Sequence, residues 1–270
     1  MVKPTGQSYL LTELSGHDGP VWQVAWGHPK FDNILASCSY DKKVIIWKEI
    51  SGKWQKIYES AQHESSVNSI SWSPHQYGLI LACASTDTSI SILTFNPKEG
   101  TWNVRKILKA HDQGCNAVSW CPYVQDSSSI GQDEASFGSK RIVSGGDDSL
   151  AKIWKDRGDG TWELDHTLDG HSDWVRDVAW SPVIMQNLHT IATCGQDKKV
   201  FIWRCSDLEQ KKWVGLTIEE FDDALWHISW SLCGRILAVS GGDNKISLWR
   251  ENMQNQWIRI SDAEDEKKAD

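Results

Sequence analysis

HSDWVRDVAWSPVIMQNLHTIATCGQDKKVFIW, residues 171–203, holds a hexad ending at Trp180, an apolar run ending in the turn at Asp197, and a short strand ending at Trp203. The same three-part wording recurs on both sides of it. VWQVAW from Val21 is followed by Asp41 and Trp47, CNAVSW from Cys115 by Asp148 and Trp154, and LWHISW from Leu225 by Asp243 and Trp249. VNSISW from Val67 keeps its turn residue, Asp87, but ends at Leu93. The five hexads begin 46 to 60 residues apart. A period of that length marks a repeat architecture in which each copy is one supersecondary unit.

Each unit reads as four strands. In the first they are VWQVAW, ILASCS from Ile34, KVIIW from Lys43 and WQKIYE from Trp54. Val, Ile and aromatic residues over four to six positions, broken by Gly, Asp, Asn and Pro, are the grammar of short strands and turns. The Trp that opens the fourth strand also repeats, at Trp54, Trp102, Trp162, Trp213 and Trp257, so the 17 tryptophans are mostly scaffold. The reading is all-β: an open WD-repeat β-propeller of five complete blades, with one surplus N-terminal strand.

The bulk figures exclude several function classes. A formal net charge of -8 and no Lys/Arg run with interleaved aromatics argue against a duplex-binding surface. The longest apolar runs, such as LILACA from Leu79, are strand-length and far short of a helical membrane span. MVKPTGQSYLL lacks the apolar core of a signal peptide, so a cytosolic or nuclear chain is expected, with any membrane association through partners. Seven cysteines, an odd number without zinc or redox spacing, read as strand packing. No cofactor, metal or nucleotide motif is found, and no enzyme is expected.

Three segments break the period. VQDSSSIGQDEASFGS from Val124 reads as a polar insertion between the first and second strands of the third repeat. SYLLTEL from Ser8 looks like the outer strand of a blade whose other three strands are missing. The expected division is therefore 1–15 as that leftover strand, 16–261 as the propeller, and 262–270 as a charged disordered tail. The leftover strand would either pair on the outer edge of the last blade or hang beside it with unpaired edges. A chain shortened by splicing, a late start or an incomplete gene is the expectation.

A polar set accompanies the blades: His17, Ser37, Asp41 and Trp47; His111, Ser144, Asp148 and Trp154; His171, Thr193, Asp197 and Trp203. Ser, His and Asp together invite a hydrolase reading. A catalytic triad is needed once, beside a pocket, whereas this set occurs three times with a Trp as its fourth member. A buried hydrogen-bond chain explains it by polar satisfaction alone. The second repeat keeps only His63 and Asp87, with Cys83 and Leu93 elsewhere; the fifth has Asp223 for the His and Val239 for the hydroxyl.

GHDGPVWQVAWGHPKF from Gly16, ILASCSYDKKVIIWK from Ile34, HSDWVRDVAWSP from His171 and SGGDNKISLWRE from Ser240 go beyond generic repeat grammar. They resemble the Sec-thirteen family, the small propeller of the COPII outer coat, from about Tyr9 to Ile260. The resemblance implies a non-catalytic scaffold of endoplasmic-reticulum-to-Golgi vesicles that receives a donated blade from a Sec-thirty-one-type solenoid. It further implies a place in the nuclear pore Y-complex beside a nucleoporin solenoid, and in the SEA/GATOR complex of TOR signalling at the lysosome. The slot for the donated blade is expected to be lined by Leu225, Trp226, Ile228, Trp230, Ile246 and Leu248. The competing reading is a peptide-recruiting adaptor of the ubiquitin-ligase or histone-binding type.

Overall fold

The computed structural model describes residues 10–123, 139–184, 187–209 and 211–262. The expected insertion from Val124 and the tail fall largely outside these residues. The described strands form five antiparallel sheets, each of four strands in sequential order. The first holds β1 (Val21–Trp26), β2 (Ile34–Ser39), β3 (Val44–Ile50) and β4 (Lys53–Ser60). The second holds β5 (Val67–Trp72), β6 (Ile80–Ser85), β7 (Ile90–Asn96) and β8 (Thr101–Ile107). The third holds β9 (Cys115–Trp120), β10 (Arg141–Gly146), β11 (Leu150–Asp156) and β12 (Trp162–Asp169). The fourth holds β13 (Val175–Trp180), β14 (His189–Gly195), β15 (Lys199–Cys205) and β16 (Val214–Glu220). The fifth holds β17 (Leu225–Trp230), β18 (Ile236–Gly241), β19 (Ile246–Glu251) and β20 (Trp257–Asp262).

Every hexad is thus the first strand of a sheet, and it also carries a bulge. Val21 pairs with Ser39 and Gln23 with Cys38, leaving Trp22 as the extra residue; Asn68, Asn116, Arg176 and Trp226 are extra in the same way. A bulge turns side chains out of the ladder and sharpens the local twist. The freed residue reaches the next sheet: Trp22 Nε1 donates to Ser66 Oγ at 2.9 Å, Asn68 Nδ2 to the Cys115 carbonyl at 2.9 Å, and Asn116 Nδ2 to the Val175 carbonyl at 3.0 Å.

First strands pack on first strands: β5 on β1 and β2, β9 on β5 and β6, β13 on β9 and β10, β17 on β13 and β14. They form a hub from which the sheets radiate, and no comparable packing joins the fifth sheet to the first among the described residues. The hydrophobic core is accordingly four wedges, one in each seam between successive sheets. In the first wedge Ile34, Ala36, Val44 and Ile46 of sheet one meet Val67, Ile70 and Leu81 of sheet two.

The surplus strand is not formed over its described part. Residues 10–15 belong to no sheet, and Leu10 and Leu11 are exposed. A strand needs an edge to pair with. Among the described residues no sheet precedes the first, and the outer position of the fifth is filled by β20, which pairs with β19.

Candidate functional site: the interblade seams and the open edge

The hexad works as a two-sided peg. Its first, fourth and sixth residues face back onto the preceding sheet. The fourth position is filled by Ile70, Val118, Val178 and Ile228 in sheets two to five, each at most 4% exposed. The closing Trp adds a directional bond. Trp72 Nε1 donates to the Ala25 carbonyl at 3.0 Å, Trp120 to Ser71 at 2.8 Å and Trp230 to Ala179 at 3.0 Å. In the fourth sheet the backbone N–H of Trp180 instead donates to Ser119 Oγ at 3.0 Å. The third and fifth hexad positions receive these bonds from the next sheet, as when Gln23 Oε1 accepts from the Ile70 N–H at 2.7 Å and Asp177 Oδ2 from the Ile228 N–H at 2.9 Å.

The first sheet has the donors and, among the described residues, no preceding acceptor. Val24 and Trp26 are 58% and 63% exposed, and Val21 and Trp22 beside them are also exposed. At the other end of the series, β19 presents the face that in sheets one to four meets the next blade. Val44, Ile90, Ala151 and Val200 are fully buried there, whereas Ile246, their counterpart, is 48% exposed and Leu248 is half-buried. The molecule therefore ends in two apolar walls, each half of a seam.

This geometry divides the six residues expected to line a partner slot. Trp226, Ile246 and Leu248 reach the surface or the open face. Leu225 and Ile228 do not: both are buried in the wedge against the fourth sheet, with Trp230 packed beside them. The correction follows from the direction of the peg. Hexad positions one, four and six point backward, so in the last blade they meet sheet four; the corresponding open residues are Val21, Val24 and Trp26 in the first. Sequence reading included the hexad side of the last blade beside the open β19 face because the five hexads are alike and only the neighbour differs.

The polar sets assemble as continuous chains. His111 Nδ1 lies 2.7 Å from Asp148 Oδ1, its Nε2 lies 2.8 Å from Ser144 Oγ, and Trp154 Nε1 donates to that hydroxyl at 2.9 Å. His17, Ser37, Asp41 and Trp47 repeat the pattern at 2.8–2.9 Å, and His171, Thr193, Asp197 and Trp203 at 2.8–3.0 Å. Donor bookkeeping sets the direction: indole N–H to hydroxyl oxygen, hydroxyl O–H to Nε2, Nδ1–H to carboxylate. Each imidazole is satisfied when neutral. Gly146 makes room for the ring, since a Cβ there would stand 2.3 Å from His111 Nδ1.

Burial pushes the Asp148 carboxyl up, but the bonds from His111 and Lys152 outweigh it and leave Asp148 well below the usual carboxylate range. Asp87 behaves likewise, with the Ser89 hydroxyl, the Glu64 N–H and His63 opposing burial. Burial lowers His63 and His111, against the pull of their aspartates. Ser144 and Thr193 are fully buried, and the indole holds one lone pair of each hydroxyl, so neither presents an oxygen to a substrate.

Two members of these chains escape sequence reading. His63 Nε2 lies 2.8 Å from Ser91 Oγ, and Trp249 Nε1 donates to Ser247 Oγ at 2.8 Å. Ser91 pairs across the ladder with Cys83, and Ser247 with Val239, the two positions where the hydroxyl is missing. The hydroxyl has crossed one rung from the second strand to the third. The available signal was Ser at the position two before Leu93 and Trp249, where Ile45 stands in the first repeat.

The described residues hold no cluster of three or more His, Cys, Asp or Glu placed to bind a metal ion. All seven cysteines are free, and six are buried.

The WD domain, G-beta repeat family matches residues 8–48, 54–92, 102–155, 162–204 and 216–250. From the second match onward, each begins on the outer strand of one sheet and ends on the third strand of the next, so each repeat staples two blades. The chain is 53% identical over 254 residues to "Protein SEC13 homolog" of Drosophila melanogaster, covering 93% of this chain and 71% of the relative. It is 47% identical to "Protein SEC13 homolog" of Caenorhabditis briggsae and 45% identical to "Protein transport protein sec13" of Emericella nidulans, covering 96% of this chain in each case and 82% and 86% of those relatives. With five repeat matches spanning most of its length and relatives of that similarity, the chain belongs to the Sec-thirteen family of WD-repeat proteins.

Proposed function

We propose that the chain is a non-catalytic scaffold in protein transport, a subunit of the COPII coat that takes one blade from a solenoid partner of the Sec-thirty-one type. One observation carries the reading: the molecule ends in two complementary half-seams. Trp26 stands ready to donate to a carbonyl of a preceding blade, and Val21 and Val24 to pack on its apolar face. Ile246 and Leu248 offer the face onto which the first strand of a following blade packs. Strand addition supplies such a blade through main-chain hydrogen bonds with pockets for alternate side chains. The relatives' names, "Protein transport protein sec13" among them, support the transport role. The satisfied and buried His–hydroxyl–Asp chains support a structural rather than catalytic use. The same open edge would serve a nucleoporin solenoid at the nuclear pore Y-complex and a SEA/GATOR subunit in TOR signalling, with membranes reached only through these partners.

Reconstitution with purified solenoid partner tests the reading. Val24→Asp and Ile246→Asp each place a charge on one half-seam and should abolish co-elution while the thermal melt stays unchanged. Undiminished co-elution of both variants would place the partner elsewhere.

A further inference from the structure

Away from the open edge, a cavity of about 880 Å³ lies in the seam between the fourth and fifth sheets. Val183 and Leu188 of the fourth unit and Ile236 and Trp257 of the fifth make its walls predominantly apolar. Three features separate it from ordinary seam packing. Two buried donors, Arg204 Nε and Trp257 Nε1, have no acceptor among the described residues. The remaining Arg204 nitrogens are held by Glu251 at 2.8 and 2.6 Å, which occupies the single carboxylate in the lining. Two further guanidiniums, Arg235 and Arg250, line the cavity without an ion pair or side-chain hydrogen bond among the described residues. In a chain of net charge -8, this is a corner with uncommitted positive charge beside apolar wall.

We propose that this cavity binds an amphipathic anion, a carboxylate on an unbranched apolar chain, with the chain against the apolar walls and the carboxylate on Arg235 and Arg250. The volume lies within the range of small-molecule pockets, roughly 300–1,000 Å³. A planar guanidinium presents paired N–H donors that match the two oxygens of a carboxylate. The buried N–H groups of Arg204 and Trp257 stand where such a ligand could add an acceptor. A purely apolar ligand would leave the buried Arg204 and Trp257 donors unanswered.

The cavity carries its own reporter. Cys233 lines the rim and is the one exposed cysteine; the other six are buried. Bonding to Ser231, 3.3 Å away, and to the Arg235 backbone, together with the Arg235 charge, lowers its thiol below the ordinary value. Alkylation by iodoacetamide therefore reads occupancy at this one site in the full chain. Monomeric dodecanoate at about ten times its Kd should slow the reaction roughly tenfold, as expected when only the free site reacts. Dodecanol and hexanoate at the same concentration should protect little, the first lacking the charge and the second the chain.

In Arg235→Gln/Arg250→Gln, whose two side chains are exposed, the ratio of rates with and without dodecanoate should fall to that seen with dodecanol. Calorimetric titration of the same pair of proteins gives a readout independent of the thiol. Equal protection by dodecanol and dodecanoate would overturn the proposal in favour of a plain apolar hole. Protection by anionic vesicles but not by monomeric dodecanoate would overturn it in favour of a membrane surface, and no protection by any of these would remove the site.

Discussion

At Asp197 one carboxylate answers three donors: His171 Nδ1 at 2.9 Å, the Ser172 N–H at 3.0 Å and the Lys199 N–H at 3.2 Å. Asp243, at the same place in the fifth blade, answers the Lys245 N–H alone among the described residues, at 3.0 Å. Removing a carboxylate strands whatever it satisfied, at about 1–3 kcal/mol for a buried group. Asp197→Ala should therefore lower stability by about that amount, and Asp243→Ala by distinctly less; denaturant titration of both variants gives the comparison. Several members of the polar chains also set a response to acid. The folded-state values of His63 and His111 lie below the usual one of about 6.5, so their share of stability is complete above that pH and is lost below it. The lowered aspartates act in the same direction further down, their share being complete above about 3.9 and lost as pH falls through their folded values. Melting temperature should fall steadily as pH drops below 7, with half-exposed His227, raised by its bond to Asp177, pulling weakly the other way. A plateau down to pH 4.5 would mean that the imidazoles are charged in the folded chain.

Within one blade, a hydroxyl needs only to reach the His or the indole, and either strand of the central pair can supply it. Val239 and Ser247 are directly paired, and the Ser247 hydroxyl holds the Trp249 N–H. Ser247→Ala should orphan that buried donor, at a cost of about 1–3 kcal/mol. Adding Val239→Ser returns a hydroxyl to the place it has in the first blade and should recover most of the loss; a double variant no better than the single one would show that the rung exchange is not equivalent. Sequence reading found the complete sets because hydroxyl, Asp and Trp sit at fixed spacings along the chain and the His precedes each hexad. It missed Ser91 and Ser247 because it sought the hydroxyl on the second strand, and only the sheet register shows that the facing position of the third strand is its equivalent.

Across the whole molecule, like sequences meet unlike fates. Val24 and Val178 hold the same place in VWQVAW and VRDVAW, yet one is 58% exposed and the other 3%. A charge at Val178 would be buried without a partner, among the most destabilising of substitutions, whereas surface changes usually stay within about 0.5 kcal/mol. Val24→Asp should leave the melt of the isolated chain unchanged, and Val178→Asp should prevent folding. Equal loss at both would mean that the first wall is covered in solution. The chain alone determined the five-fold repeat, the limits of every hexad strand, and the His–hydroxyl–Asp–Trp chains of the first, third and fourth blades. It did so because strand periodicity, turn chemistry and hydrogen-bond partners are written locally and at regular spacing. Tertiary structure decided which of five similar hexads lie open, that residues 10–15 form no strand, and which three of the six expected slot residues reach the surface or the open face. Those outcomes depend on whether a neighbouring sheet is present, and a repeat carries the same residues whether its neighbour is there or not.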